Sequence, residues 1–128
     1  MKPETADYLG KARHCLANAK TIAAAGVSDV AAREAYLAAY HAGEAYIFER
    51  AGRVVKTHRG MRSQFSALAR LEPVIDRGLL AFLAEGYQFK AIADYGVGAA
   101  IGAISAADAG SAIDTATRFI DIVVRLLP

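Results

Sequence analysis

Residues 105–127 read SAADAGSAIDTATRFIDIVVRLL. The apolar residues in this stretch recur at steps of three and four, which is the repeat of one face of an α-helix. Ser105, followed three residues later by Asp108, is typical of a capping box at a helix start. The stretch therefore predicts a long amphipathic helix that buries one face. The predicted buried stripe is Ile113, Ala116, Thr117, Ile120, Val124 and Leu127.

The same periodicity predicts further helices upstream. They are expected over Glu4–Ala24, from a cap at Ser28 or Asp29 to Ala51, over the shorter Gly60–Leu71, and over Pro73–Ala93. Gly52 ends the second of these helices, and Gly86 weakens or kinks the fourth. The fold class predicted is therefore all-α, an up-and-down bundle of four long helices plus one short helix.

Composition supports one domain over residues 1–128. Hydrophobic residues make up 55% of the chain and charged residues 22%, which is typical of a folded globular protein. The single Cys15 cannot form an internal disulfide. The first residues lack the apolar core of a signal peptide, and the uncharged run nearest to a membrane span, residues 95–107, is too short. We expect a cytoplasmic protein without membrane contact.

Positive charge is concentrated in one segment. The net charge is +2, yet Arg50, Arg53, Lys56, Arg59 and Arg62 recur at every third residue without an intervening acid, and His58 lies among them. Such a segment attracts phosphate. The sequence therefore nominates Arg53, Lys56, His58, Arg59 and Arg62 as nucleotide- or RNA-binding residues. The alternative is an ordinary solvated loop and helix edge.

Two other motifs are set aside. The glycines Gly96, Gly98 and Gly102 superficially resemble a dinucleotide-binding turn, but no strand precedes them, so we predict a flexible connection. The three histidines lie at no metal-ligand spacing, so neither a metal site nor a cofactor is expected.

Two clusters remain as candidates for chemistry. His41 and Glu44 lie three residues apart on one face of the second helix, as a buried pair or as the acid and base of a cleft. Lys90 and Asp94 lie four apart at the end of the fourth helix, and Tyr95 follows them. A cation, a carboxylate and a phenol at one helix end suit the binding or processing of a phosphodiester, and they are the candidate catalytic residues.

Three segments together resemble the HEPN family (higher eukaryote and prokaryote nucleotide-binding). They are AYLAAYHA at residues 35–42, KTHRG at 56–60 and KAIADY at 90–95. They are similar to a small prokaryotic subgroup with a Tyr-rich second helix, a Lys-x-His-Arg/Ser-Gly segment and an Arg-x-x-Ala-Asp-Tyr box. The likeness spans nearly the whole chain.

The resemblance implies a helical bundle that commonly forms homodimers. Many relatives are ribonucleases or toxins, often encoded beside a minimal nucleotidyltransferase that acts as antitoxin. Their signature is an arginine followed a few residues later by a histidine, which act on RNA at the dimer cleft without metal. Here Lys90 and Tyr95 stand in those places. Lysine cannot make the bidentate contact of a guanidinium, and tyrosine is a poor base at neutral pH.

We therefore expect a HEPN-type component of a toxin–antitoxin or nucleotidyltransferase-partner system that binds nucleotide or RNA at a dimer cleft, as a metal-independent endoribonuclease in its active form. The alternative is a catalytically inactive helical scaffold subunit that pairs with a nucleotidyltransferase. A bundle that binds a nucleotide or another small ligand is the third reading. The resemblance gives Tyr95 a second role, as an acceptor of a nucleotidyl group from the partner enzyme.

Overall fold

A computed structural model describes residues 1–97 and 102–128 of the chain. These residues form six α-helices and, within the described ranges, no strand: α1 (Pro3–Ala24), α2 (Ser28–Ala51), α3 (His58–Ala69), α4 (Arg77–Glu85), α5 (Tyr87–Tyr95) and α6 (Ala106–Leu126). The predicted all-α bundle is confirmed. The helix predicted over Pro73–Ala93 is replaced by α4 and α5.

Helix α2 is the centre of the bundle and contacts all five other helices. Half of its 24 residues are buried, and most of these are alanines. Small side chains let neighbouring helices approach closely while aromatic residues fill the space between them. Its buried residues are Ala31, Ala32, Ala35, Tyr36, Ala38, Ala39, Tyr40, Ala42, Gly43, Ala45, Tyr46 and Ile47.

The helix ends confirm some predicted signals and correct others. Gly52 ends α2 with a left-handed φ of 69°, and Ser105 and Asp108 form the predicted capping box of α6. The predicted cap of α2 is wrong, because Val27 occupies that position and no side chain caps the helix. Helix α3 begins at His58, two residues before the predicted Gly60, because the Thr57 side chain accepts a hydrogen bond from the Gly60 amide.

The predicted helix start at Pro73 is also wrong. The Asp76 carboxylate accepts a hydrogen bond of 3.1 Å from the Leu79 amide, so Asp76 is the cap and α4 begins at Arg77. The interruption predicted at Gly86 is present between α4 and α5. A Cβ atom at Gly86 would lie 2.8 Å from Cδ1 of Tyr36, closer than carbon atoms pack. Glycine therefore lets this junction rest against the α2 ring.

Helix α6 buries Ala116 and Ile120 of the predicted stripe, and Leu127, directly after the helix, is buried as well. Phe119 and Val123 are buried beside them, whereas the predicted Val124 is 37% exposed. The Phe119 ring stacks on Phe65 of α3 with centroids 5.1 Å apart. Of the glycine-rich connection before α6, Gly98 lies outside the described residues.

Candidate functional site

His58, the first residue of α3, lies among three tyrosine rings. Tyr36 and Tyr40 come from α2, and Tyr87 is the first residue of α5. The centroid of the His58 ring is 5.8 Å from that of Tyr36, 4.4 Å from that of Tyr40 and 5.0 Å from that of Tyr87. These four residues, which we call the tyrosine–histidine cluster, join three helices at one place.

A hydrogen bond of 2.7 Å between the Tyr36 hydroxyl and Nδ1 of His58 orients the imidazole. Tyr36 is fully buried, and burial raises its pKa, so the hydroxyl remains protonated. Burial, aided by the charges of Lys90 and Arg62, lowers the pKa of His58. The imidazole is therefore neutral at neutral pH. When Tyr36 donates to Nδ1, the imidazole proton is on Nε2.

Two cations flank the cluster. The guanidinium carbon of Arg62 lies 5.9 Å from the centroid of the Tyr87 ring, in cation–π geometry. Lys90, one turn along α5 from Tyr87, is near enough for its charge to act on the pKa of His58. Because Tyr87 is 36% exposed, an aromatic face and two positive charges are together at the surface.

The predicted trio at the end of α5 divides into an ion pair and an exposed ring. Nζ of Lys90 donates to a carboxylate oxygen of Asp94 at 2.9 Å. Nε of Arg33, on α2, donates to the other oxygen at 2.7 Å. Hydrogen bonds, first from Lys90 and then from Arg33, hold the pKa of Asp94 below its usual range. Tyr95 is 74% exposed, with Nζ of Lys90 5.5 Å from its ring centroid.

His41 and Glu44 form a hydrogen bond of 2.7 Å and are both partly buried. His41 also meets the Tyr40 ring edge-on at 5.6 Å between centroids. The charge of Glu44 acts on the pKa of His58, in the direction opposite to that of Lys90. The pair therefore adjoins the tyrosine–histidine cluster through Tyr40.

The structure separates the five predicted phosphate-binding residues. His58 and Arg62 lie in or against the tyrosine–histidine cluster. Lys56 and Arg59 are exposed, without a hydrogen bond or ion pair among the described residues. Arg53 lines a different, shallow concavity of about 320 Å³ beside Gln64 and Leu68. Of the five residues, His58 and Arg62 therefore lie at the tyrosine–histidine cluster, and Arg53 lies at another concavity.

Sequence reasoning missed two residues of this region. Tyr87 had no periodic signal, although an aromatic residue directly after the kinking Gly86 is a usable clue. Arg33 is a cation in the alanine-rich part of α2, and its contact with Asp94, 61 residues away, is not visible in any local pattern. Tyr36 and Tyr40 were noted only as part of the segment at residues 35–42, so their contact with His58 was also missed.

Residues 1–97 and 102–128 contain neither a cluster of metal-ligating side chains nor a helix that could cross a membrane. No group of three or more histidine, cysteine or acidic side chains is arranged to hold a metal ion there. In the same residues, no helix combines the length and the apolar character needed to cross a bilayer.

Comparisons with known proteins agree with the geometry of the bundle. A family model of the HEPN domain matches residues 5–127. The chain is similar to a solved protein, described as the crystal structure of TT1696 from Thermus thermophilus, with a TM-score of 0.79 and 24% sequence identity, over 98% of this chain and 100% of that one. At that identity the likeness shows the fold alone. The search of curated proteins returned no match.

Proposed function

The chain belongs to the HEPN family, and on this premise we propose that it binds RNA or a nucleotide through the surface of the tyrosine–histidine cluster, as part of a toxin–antitoxin or nucleotidyltransferase-partner system. The observation that carries the proposal is the position of His58, which Tyr36 orients and which Arg62 and Lys90 flank. Phosphate is attracted by the two cations, and a base stacks on the exposed ring of Tyr87.

Homodimer formation is part of the proposal. Tyr87, Tyr95 and Val97 are exposed on α5 and directly after it, and Val97 is 81% exposed. A second copy packed against Val97 would cover that apolar side chain and leave the rings of Tyr87 and Tyr95 open in one cleft between the two clusters. Light scattering should then give twice the monomer mass, and Val97→Glu should shift the protein toward monomer.

Binding is tested by fluorescence anisotropy with a labelled single-stranded RNA of about 10 nucleotides, a length that one small domain can cover. Arg62→Gln and Lys90→Gln should each weaken binding and reduce its salt dependence by about one phosphate contact. Arg125→Gln, at an exposed position of α6, is the matched control for loss of one charge. An equal loss of RNA affinity in all three variants would mean that binding depends only on nonspecific charge, and it would contradict the assigned site.

In the active form that we propose, the protein is a metal-independent ribonuclease. In the tautomer whose Nδ1–H donates to the Tyr36 oxygen, Nε2 of the neutral His58 imidazole is free to accept the proton of a ribose 2′-hydroxyl, whereas the Tyr95 phenol is a poor base. The 2′-oxygen would then bond to phosphorus, and the 5′-oxygen would leave with a proton from water, producing a 2′,3′-cyclic phosphate. Cleavage in EDTA that is lost in His58→Ala and reduced in Lys90→Ala is the expected result. Full activity of His58→Ala would reject His58 as the base.

A second function, a catalytically inactive scaffold that pairs with a minimal nucleotidyltransferase, is favoured by one specific observation. Asp94 neutralises Lys90, while the Tyr95 phenol stands exposed beside that ion pair, as an acceptor of a nucleotidyl group would. Coexpression with the candidate enzyme should add a nucleotidyl mass to the chain, and Tyr95→Phe should remove it. An unmodified chain, together with RNA cleavage, would favour the ribonuclease.

A further inference from the structure

The Asp94 carboxylate is held by cations from two helices, one for each of its oxygens. Arg33 reaches it from α2 and Lys90 from one turn earlier on α5, at 2.7 and 2.9 Å. The three side chains are only partly exposed, at 28%, 19% and 24% for Arg33, Lys90 and Asp94. Two cations on neighbouring helices therefore hold one two-oxygen anion, and Arg33 also pairs through its other nitrogen with Glu34 at 3.0 Å.

A phosphate presents the same acceptors as a carboxylate. Guanidinium and ammonium groups bind either anion through charge-assisted hydrogen bonds of similar length. Lys90 also borders the tyrosine–histidine cluster, since it follows Tyr87 by one turn of α5, and its Nζ lies 5.5 Å from the centroid of the Tyr95 ring. An RNA strand lying across Tyr87 and Tyr95 would bring a phosphate to Arg33 and Lys90.

We infer that Arg33 and Lys90 form a phosphate-binding pair. In this structure the Asp94 carboxylate occupies the position of the phosphate, and a bound RNA phosphate replaces it. The inference rests on the proposed function and adds Arg33 to its site. Asp94 is one residue from the end of α5, where its side chain can turn outward without unwinding the helix. The Asp94 carboxylate stays ionised when it is released into solvent.

The competing explanation is purely structural, with Asp94 joining α2 to α5. The two explanations predict different changes in RNA affinity when the charge of Asp94 is removed. If Asp94 only joins the helices, removing its charge loosens α5 and weakens binding or leaves it unchanged. If Asp94 competes with phosphate, removing its charge tightens binding, and removing Arg33 weakens it.

The experiment compares Asp94→Asn with Asp121→Asn in the full chain, using the labelled single-stranded RNA. Both variants raise the net charge by one, and Asp121 is exposed on α6 without an ion pair in the described residues. Asp94→Asn should bind about fivefold more tightly than Asp121→Asn, while Arg33→Gln should weaken binding by a similar factor.

Equal affinities of Asp94→Asn and Asp121→Asn would overturn the inference, as would unchanged binding by Arg33→Gln. A second measurement separates this failure from that of the proposed function. Inorganic phosphate is titrated while the Arg33 Nε–H resonance is followed by NMR. A phosphate-dependent shift that strengthens in Asp94→Asn supports the pair even where RNA does not bind, and no shift in that variant rejects it. Thermal unfolding confirms that each variant is folded.

Discussion

The Tyr36 hydroxyl and Nδ1 of His58 lie 2.7 Å apart, and this hydrogen bond joins the buried centre of α2 to the first residue of α3. Tyr36 has no exposed surface, whereas His58 is partly exposed. A group fixed inside the core thus sets the orientation of a group at its edge. Positioning of this kind is what a binding or catalytic imidazole requires.

Tyr36→Phe should separate the effect of the Tyr36 hydroxyl on the orientation of His58 from the packing of the Tyr36 ring. The ring remains, but the hydroxyl is lost and Nδ1 loses its partner, so unfolding should be easier by about 1 kcal/mol. In the ¹⁵N spectrum of His58, the two ring nitrogens should move toward a mixture of tautomers. Tyr40→Phe is the control, because its hydroxyl makes no hydrogen bond to His58. An unchanged spectrum in Tyr36→Phe would show that the hydrogen bond does not select the tautomer.

The lowered pKa of His58 predicts a loss of stability in mild acid. Burial and the charges of Lys90 and Arg62 oppose protonation in the folded state, and Glu44 only partly offsets them. The unfolded chain takes up the proton first, so stability is complete above the unfolded pKa of about 6.5 and declines as the pH falls below it. Urea midpoints between pH 8 and pH 5 measure this slope.

His58→Gln is the comparison for that slope, because it removes the titrating ring. The decline between pH 7 and pH 5 should become shallower in His58→Gln, whereas His14→Gln, at an exposed position of α1, should retain it. Identical slopes in all three proteins would assign the acid sensitivity to other groups.

Tyr87 should contribute to RNA binding through its face rather than its hydroxyl. Stacking of one base on an aromatic ring contributes about 1–3 kcal/mol, so Tyr87→Ala should weaken binding at least about fivefold. Tyr87→Phe keeps the ring and the cation–π contact with Arg62, and it should bind normally. Anisotropy measurements on both variants provide the test, and equal loss in the two would implicate the hydroxyl instead.

Asp76 should stabilise the start of α4 in two ways. Its carboxylate accepts from the Leu79 amide and also pairs with Arg118 of α6. The Arg118 hydrogen bond lowers the pKa of Asp76, so its contribution is present above the unfolded pKa and is lost as the pH falls through the folded one. Asp76→Ala should cost about 1 kcal/mol in urea unfolding at pH 7.

Asp76→Asn separates these two contributions, since its amide oxygen still caps the helix while the charge is gone. It should lose less than Asp76→Ala, because exposed ion pairs contribute about 0–1 kcal/mol. Asp114→Ala, at an exposed position of α6, is the control and should not destabilise the protein.

Asp108 and His58 show which structural features could be predicted from the sequence and which could not. The Ser105–Asp108 cap is a local pattern, and it was predicted because its partners lie three residues apart. The ring cluster around His58 depends on residues that are distant in sequence, on α2 and α5, which only the folded bundle brings together. Arg33 and Asp94 are more distant still, so no helical period connects them.

Gly86 and Gly110 provide the last test, because the same substitution should have opposite effects at the two positions. A Cβ at Gly86 would lie 2.5 Å from the Phe82 carbonyl oxygen and 2.8 Å from the Tyr36 ring. Gly86→Ala must therefore shift the backbone between α4 and α5 and displace Tyr36 or move α5 away from α2, at a cost of about 1–3 kcal/mol. Gly110 is exposed within α6 and has nothing within 4 Å of that position, so Gly110→Ala should stabilise by about 0.5–1 kcal/mol. Urea unfolding measures both, and because Tyr36 holds His58, Gly86→Ala should also perturb the His58 resonances. A stable Gly86→Ala protein with unaltered His58 resonances would show that Tyr36 does not need this close approach.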